Sequence, residues 1–251
     1  MLTSSMTPVD IFNNIMQDVP KINYWIARGE QKAMKNFAKQ FQFPKYYVED
    51  LKHQISGIEY FLFYIQRQQK VDFEKKPIAI CSLENNKFFI EFGYGYDIDK
   101  NKKCTIPIAV LNIYDGHFFE RYKERYLHDE TLQIKDVIGN FFARLTRLNL
   151  LEINDDIIND WRWKYGYFST VFYTNEGVCL GKRSICQIPN VSLESEKVSK
   201  VVVNEYKTFV SFDMLSDRQK VAIKEEGLKY YDRYMNHLGE LYEIGAMNPP
   251  F

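Results

Sequence analysis

The chain has 251 residues, enough for one large domain or two small ones with a real core in either case. Its 33 Lys and Arg balance its 33 Asp and Glu, which excludes a protein that coats nucleic acid through bulk charge and leaves room only for a local basic cleft. The four cysteines, Cys81, Cys104, Cys179 and Cys186, have no Cys-x-x-Cys pairing and no histidine at ligand spacing, so they read as reduced thiols, with no metal and no cofactor expected.

The first residues, Met1-Leu2-Thr3-Ser4-Ser5-Met6, lack a basic segment followed by an apolar one, and no apolar run is long enough for a bilayer. A cytoplasmic protein without a membrane partner is expected. Thr7-Pro8-Val9-Asp10 reads as a helix start, with Thr7 as N-cap, Pro8 in the first turn and Asp10 facing the helix dipole. That helix should stop near Asp18, before Pro20. A second helix is expected over 22–40, carrying Tyr24, Trp25, Met34 and Phe37. A third is expected over 46–69, because Val48, Leu51, Ile55, Ile58, Phe61, Leu62 and Ile65 step by three and four. Residues 1–76 thus read as a helical region without recognisable chemistry, and His53 as a surface residue.

Residues 77–251 read as an α+β domain. Pro77 to Leu83 and Phe88 to Tyr96 are apolar runs around a polar turn, which makes a hairpin. Asp97, Asp99 and Asn101 lack the glycine and terminal glutamate of a calcium loop and read as a plain turn. A third strand follows from Thr105 to Tyr114, with Pro107 placing its first half at an edge.

The strand leads into Gly116-His117-Phe118-Phe119-Glu120-Arg121-Tyr122-Lys123-Glu124-Arg125-Tyr126. As a helix this puts His117, Arg121 and Arg125 at i, i+4 and i+8 on one face, with Phe118, Phe119, Tyr122 and Tyr126 as an apolar stripe beside them. Two guanidiniums and an imidazole suit a phosphodiester: the first hold the phosphate and the second moves a proton. The competing reading is a solvated face whose cations pair with Glu120 and Glu124. His128-Asp129-Glu130 reads as a loop, and Thr131 as the cap of a helix bearing Ile134, Val137, Ile138, Phe141 and Phe142.

Farther on, 167–173 and 178–183 flank the turn Thr174-Asn175-Glu176-Gly177 as a second hairpin. A polar loop over 189–199 leads to a strand over 201–212. Ser216-Asp217-Arg218-Gln219 is a capping box that opens a helix running to about residue 238. The tail Asn248-Pro249-Pro250-Phe251 reads as loose.

Two helices followed by antiparallel strands, with His-x-x-x-Arg-x-x-x-Arg on the first helix and Lys207-Thr208 on the last strand, resemble the barnase–EndoU–colicin–RelE-like nuclease superfamily. The frame from His117 to Arg125 resembles the first helix of small members of that superfamily. Asp136-Val137-Ile138 resembles the start of their second helix, and Lys207-Thr208-Phe209-Val210-Ser211 their late strand. The likeness spans about residues 105–213. It implies metal-independent RNA cleavage, with His117, Arg121, Arg125 and Thr208 as catalytic residues. Lys207 and Ser211 would bind the phosphate, and Tyr126 and Trp163 would stack bases. It also implies RNA as ligand, a protein partner such as an inhibitor or a second copy, and kinship with toxins of mobile elements. The fold expected is α+β: N-terminal helices, then an antiparallel sheet with helices packed on one face. A non-catalytic RNA- or protein-binding protein of a phage or mobile element is the other functional expectation.

Overall fold

The structure, a computed structural model, describes residues 6–52, 55–68, 73–83, 86–99, 104–145, 149–151, 155–165, 170–193 and 196–243. The expectations for His53, for the tail and for residues 100–103 lie outside these residues.

One helix, α1 (Pro8–Phe37), opens the chain. The hydroxyl of Thr7 accepts from the Asp10 N–H at 3.2 Å, and the Asp10 carboxylate accepts from the Thr7 N–H at 2.9 Å, a capping box. The break expected at Pro20 does not occur. A proline inside a helix removes one backbone hydrogen bond and costs about 3 kcal/mol. A buried stripe of Phe12, Ile15, Ile22, Ala33 and Phe37 runs through it on one face and offsets that cost.

The third helix is also overturned: the chain forms strands β1 (Lys45–Leu51) and β2 (Glu59–Gln66) instead. The expected hairpin and strand follow as β3 (Glu74–Leu83), β4 (Asn86–Asp99) and β5 (Cys104–Asp115), and Asp97 and Asp99, expected in a turn, belong instead to β4, paired with Ile106 and Cys104 of β5. The division expected at residue 76 therefore falls inside β3. Next come α2 (Gly116–Tyr122), continued by a π-helical turn over Lys123–Leu127, and α3 (Ile134–Arg144). Gln133, not Thr131, is the N-cap of α3; the Thr131 hydroxyl bonds the Asp129 carboxylate at 2.6 Å. Then follow β6 (Asn149–Leu151), α4 (Asp155–Tyr165), β7 (Thr170–Tyr173), β8 (Gly177–Leu193), β9 (Glu196–Ser211) and α5 (Asp217–Glu243). Helix α4 was not expected. The loop expected over 189–199 is instead the far end of the β8–β9 hairpin, paired Val191 to Val198 and Leu193 to Glu196. The predicted capping box of α5 forms: Ser216 N–H donates to Gln219 Oε1 at 2.9 Å, and Gln219 N–H to Ser216 Oγ at 3.3 Å.

The strands make one sheet in the order β1-β2-β3-β4-β5-β9-β8-β7-β6. Neighbours are antiparallel except β5 and β9, which run parallel from Ala109 opposite Val201 to Tyr114 opposite Tyr206. Pro107 lies ahead of that pairing and meets only Tyr96 of β4, which fits its missing N–H. The fold is α+β.

Alternation along the strands sends side chains to two covered faces. Tyr60, Leu62, Tyr64, Ala79, Cys81, Ile90 and Leu111 pack beneath α1. Phe63, Ile65, Ile78, Phe89, Tyr114, Phe172, Cys179, Tyr206 and Phe209 pack beneath α2 and α3. A third cluster, around Trp161, Val171, Leu180, Val210 and Ile223, seats α4 and α5. Two glycines allow close approach of the covering helices. A Cβ on Gly29 of α1 would lie 1.9 Å from the Tyr64 hydroxyl, and one on Gly139 of α3 would lie 2.5 Å from the Tyr46 ring. No helix among the described residues is long and apolar enough to cross a membrane.

Candidate functional site

Helix α2 starts where β5 ends. The Asp115 carboxylate caps it, accepting from the His117 N–H at 3.0 Å. Phe118, Phe119 and Tyr122 are fully buried against Tyr114, Phe141 and Phe209, so the aromatic stripe anchors the helix. This fixes the opposite ridge outward.

His117 is half exposed. Its Nε2 accepts from Arg121 Nε at 3.1 Å, and its Nδ1 lies 3.1 Å from Glu120 Oε2. With Nε2 accepting, its lone pair is covered by Arg121, and Nδ1 is the ring nitrogen that faces the Glu120 carboxylate. Arg121 also bonds Glu124 at 2.5 Å, and this hydrogen bond holds the Glu124 carboxyl below its ordinary range.

Arg125 behaves differently. It sits in the π-helical turn, which ends at His128 in the left-handed conformation with φ 51°. Its guanidinium donates to Thr208 Oγ1 at 3.2 Å and to the Phe209 carbonyl at 2.5 Å. Thr208 is buried beside a bulge of β9: Tyr206 faces Gly181 and Thr208 faces Leu180, leaving Lys207 as the extra residue. The bulge returns both Tyr206 and Phe209 to the α2 side of the sheet. Lys207 pairs with Glu205 at 3.2 Å. Ser211 is buried at the end of β9, and its hydroxyl has no hydrogen-bond partner among the described residues. Tyr126 is half-buried and stacks on Tyr122 at 5.4 Å and 22°. The Trp163 side chain lies outside the described residues.

The predicted residues thus come together in two pairs, His117 with Arg121 and Arg125 with Thr208. Neither cleft described for this region brings all four together. A cleft of about 540 Å³ opens beside His117, lined by Glu120, Lys123, Lys87, Phe89 and Phe119 among others, and Arg121, Arg125 and Thr208 do not line it. Along the helix, eight residues at about 1.5 Å each put His117 and Arg125 roughly 12 Å apart, more than one phosphate spans.

Two features escaped the sequence reading. Glu176 looked like a turn residue, yet it is buried, accepting from the Tyr122 hydroxyl at 2.6 Å. Burial holds its carboxyl above the ordinary value, against hydrogen bonds with Tyr122 and Tyr126 and the charge of Arg144. The second feature is a polar chain across the sheet. Glu91 takes bonds from Lys76, from Asn112 at 3.0 Å and from Tyr114 at 3.3 Å, and Asn112 accepts from Asn204 at 2.8 Å. Its signal was present: Glu91, Asn112 and Asn204 fall on the strand parity of buried Phe89, Tyr114 and Tyr206.

The chain matches no protein-family model, no curated protein and no solved structure.

Proposed function

We propose that the α2 ridge and its junction with β9 bind single-stranded RNA and cleave it without a metal. The observation that carries this reading is the bond from Arg121 Nε to His117 Nε2, at 3.1 Å on an exposed surface. A phosphate arriving at Arg121 competes for the guanidinium and uncovers the imidazole lone pair in the same motion. His117 Nε2 then takes the proton of the 2′-hydroxyl, and the 2′-oxygen forms a bond to the adjacent phosphorus. The bond to the 5′-oxygen breaks, that oxygen takes a proton from water, and His117 returns its own to solvent. Arg121 stabilises the charge on the phosphate oxygens. Arg125, held by Thr208 and Phe209, receives the neighbouring phosphate along the strand. The resemblance of residues 105–213 to metal-independent nucleases supports the same assignment.

A second reading, a binding protein without catalysis, is favoured by the ion pairs of the ridge with Glu120 and Glu124, which place a carboxylate beside both His117 and Arg121. Incubating the purified protein with single-stranded and structured RNA in EDTA separates the two. Cleavage that disappears in His117→Ala is the expected result. Binding without cleavage would leave the second reading, and cleavage unchanged in His117→Ala would remove His117 from the reaction.

A further inference from the structure

A second cleft, of about 450 Å³, lies against the one at His117. The two share Lys87, Phe89 and Ile134, so they adjoin at the end of the sheet where β1, β3 and β5 finish and β2, β4, α2 and α3 begin, and are taken together as one groove. The groove extends from His117 past Lys87 to Phe61 and Lys135, and Arg121 lines neither cleft.

Three properties of this groove point to one occupant. Its floor is aromatic: the Phe61 and Phe89 rings are parallel, 6.3 Å apart at 15°, with Phe89 buried and Phe61 only partly buried, so Phe61 is the ring within reach of a base. Lys87, at the junction of the two clefts, is exposed and has no ion pair among the described residues, unlike Lys123, which is 3.2 Å from Glu130. Lys135 is held only loosely, 3.9 Å from Asp50, with both side chains near half exposed. Over the whole lining Lys52, Lys87, Lys123 and Lys135 balance Asp50, Glu59, Asp115 and Glu120, so the complement to an anion is local to Lys87, the lysine at the junction of the two clefts, and it lies beside Phe61 and next to the imidazole proposed to act on the strand.

We infer that this groove holds the nucleotides flanking the phosphate at His117, with one phosphate on Lys87 and one base over Phe61. The inference rests on the RNA reading above and adds the path of the strand past His117. An RNA of two or three nucleotides fills only the ridge; a longer one also fills the groove.

The test uses 2′-O-methyl oligonucleotides, which lack the attacking hydroxyl, so binding is read apart from cleavage. Fluorescence anisotropy at low salt compares a trimer and an octamer on the full-length wild type, Lys87→Glu, Phe61→Leu and Arg121→Ala. Lys87 is exposed, so its variant keeps the fold, which an unchanged thermal melt verifies. The octamer is expected to bind wild type at least tenfold more tightly than the trimer. Lys87→Glu is expected to lose about that tenfold for the octamer and little for the trimer, and Phe61→Leu to weaken the octamer severalfold. Octamer binding that falls in Arg121→Ala but not in Lys87→Glu would overturn the groove and leave the RNA reading standing. No binding of either oligonucleotide to wild type would overturn both.

Discussion

Along β2, Tyr60, Leu62 and Tyr64 pass under α1 while Phe61, Phe63 and Ile65 face the α2–α3 side. The strand supplies both faces alike, yet the covering helices treat their polar groups in opposite ways. On α1 the notable carboxylate points inward: Asp18 is fully buried, takes bonds from the Ser56 N–H and hydroxyl, and accepts from the Tyr60 hydroxyl at 2.9 Å. On α2 the aromatics occupy the inward positions, and His117 and Arg121 stand outward, His117 at the edge of a groove. Polar groups already satisfied inside a core hold a fold together, whereas groups whose partners are exposed carboxylates can exchange them for a ligand. The proposed function accordingly assigns binding to the α2 face and leaves the α1 core to stability.

Removing a core ring gives the largest effect on this contrast. Phe12→Ala, at a fully buried position of α1, is expected to lower stability by about 3–5 kcal/mol in urea unfolding and to leave RNA affinity of the folded protein unchanged. A fall in affinity in step with stability would break the division between the faces. Glu176→Gln tests the support beneath the ridge. Because burial raises the native Glu176 carboxyl above its unfolded value, the native state binds a proton that the unfolded state has already released. Wild-type stability should therefore fall as pH rises from the ordinary carboxylate range through the raised value. Glu176→Gln keeps an acceptor for Tyr122 and should remove that fall, so its unfolding free energy gains on wild type towards neutral pH and matches it in acid. Identical pH profiles would show that Glu176 is not held against its charge. The smallest effect is expected for Arg121→Ala. It should weaken RNA binding more at low salt than at high salt and reduce the slope of log affinity against log salt by about 0.7, one phosphate on a single strand. An unchanged slope would take Arg121 off the phosphate.

Much of the outline was legible where one signal dominated. The aromatic spacing marked α2, the capping box at Ser216 marked α5, and the apolar runs around residues 84–87 marked the β3–β4 hairpin. Residues 46–69 misled because β2 is buried on both faces. Its apolar residues run on without alternation, and a continuous run satisfies steps of three and four by accident. The aromatic and β-branched content of Phe61-Leu62-Phe63-Tyr64-Ile65 was the better guide. Pro20 misled because a local rule yielded to a buried stripe longer than the interruption. In the candidate site the α-register from His117 to Arg121 held. The π-helical turn, which carries Arg125 away to β9, depends on contacts with Thr208 and Phe209 that are more than 80 residues distant. Glu176 was hidden for the same reason, its partner Tyr122 being 54 residues away.

The most direct measurement of the central claim is the chemistry of the ends left on RNA in EDTA, using one substrate with a free 2′-hydroxyl and one 2′-O-methylated at the cut position. Attack by the 2′-oxygen assisted by His117 predicts 2′,3′-cyclic phosphate ends from the first, no product from the second, and a rate about 10²–10⁴-fold lower in His117→Ala. Intact RNA throughout, cutting of the methylated strand, or ends carrying a 3′-hydroxyl would contradict it.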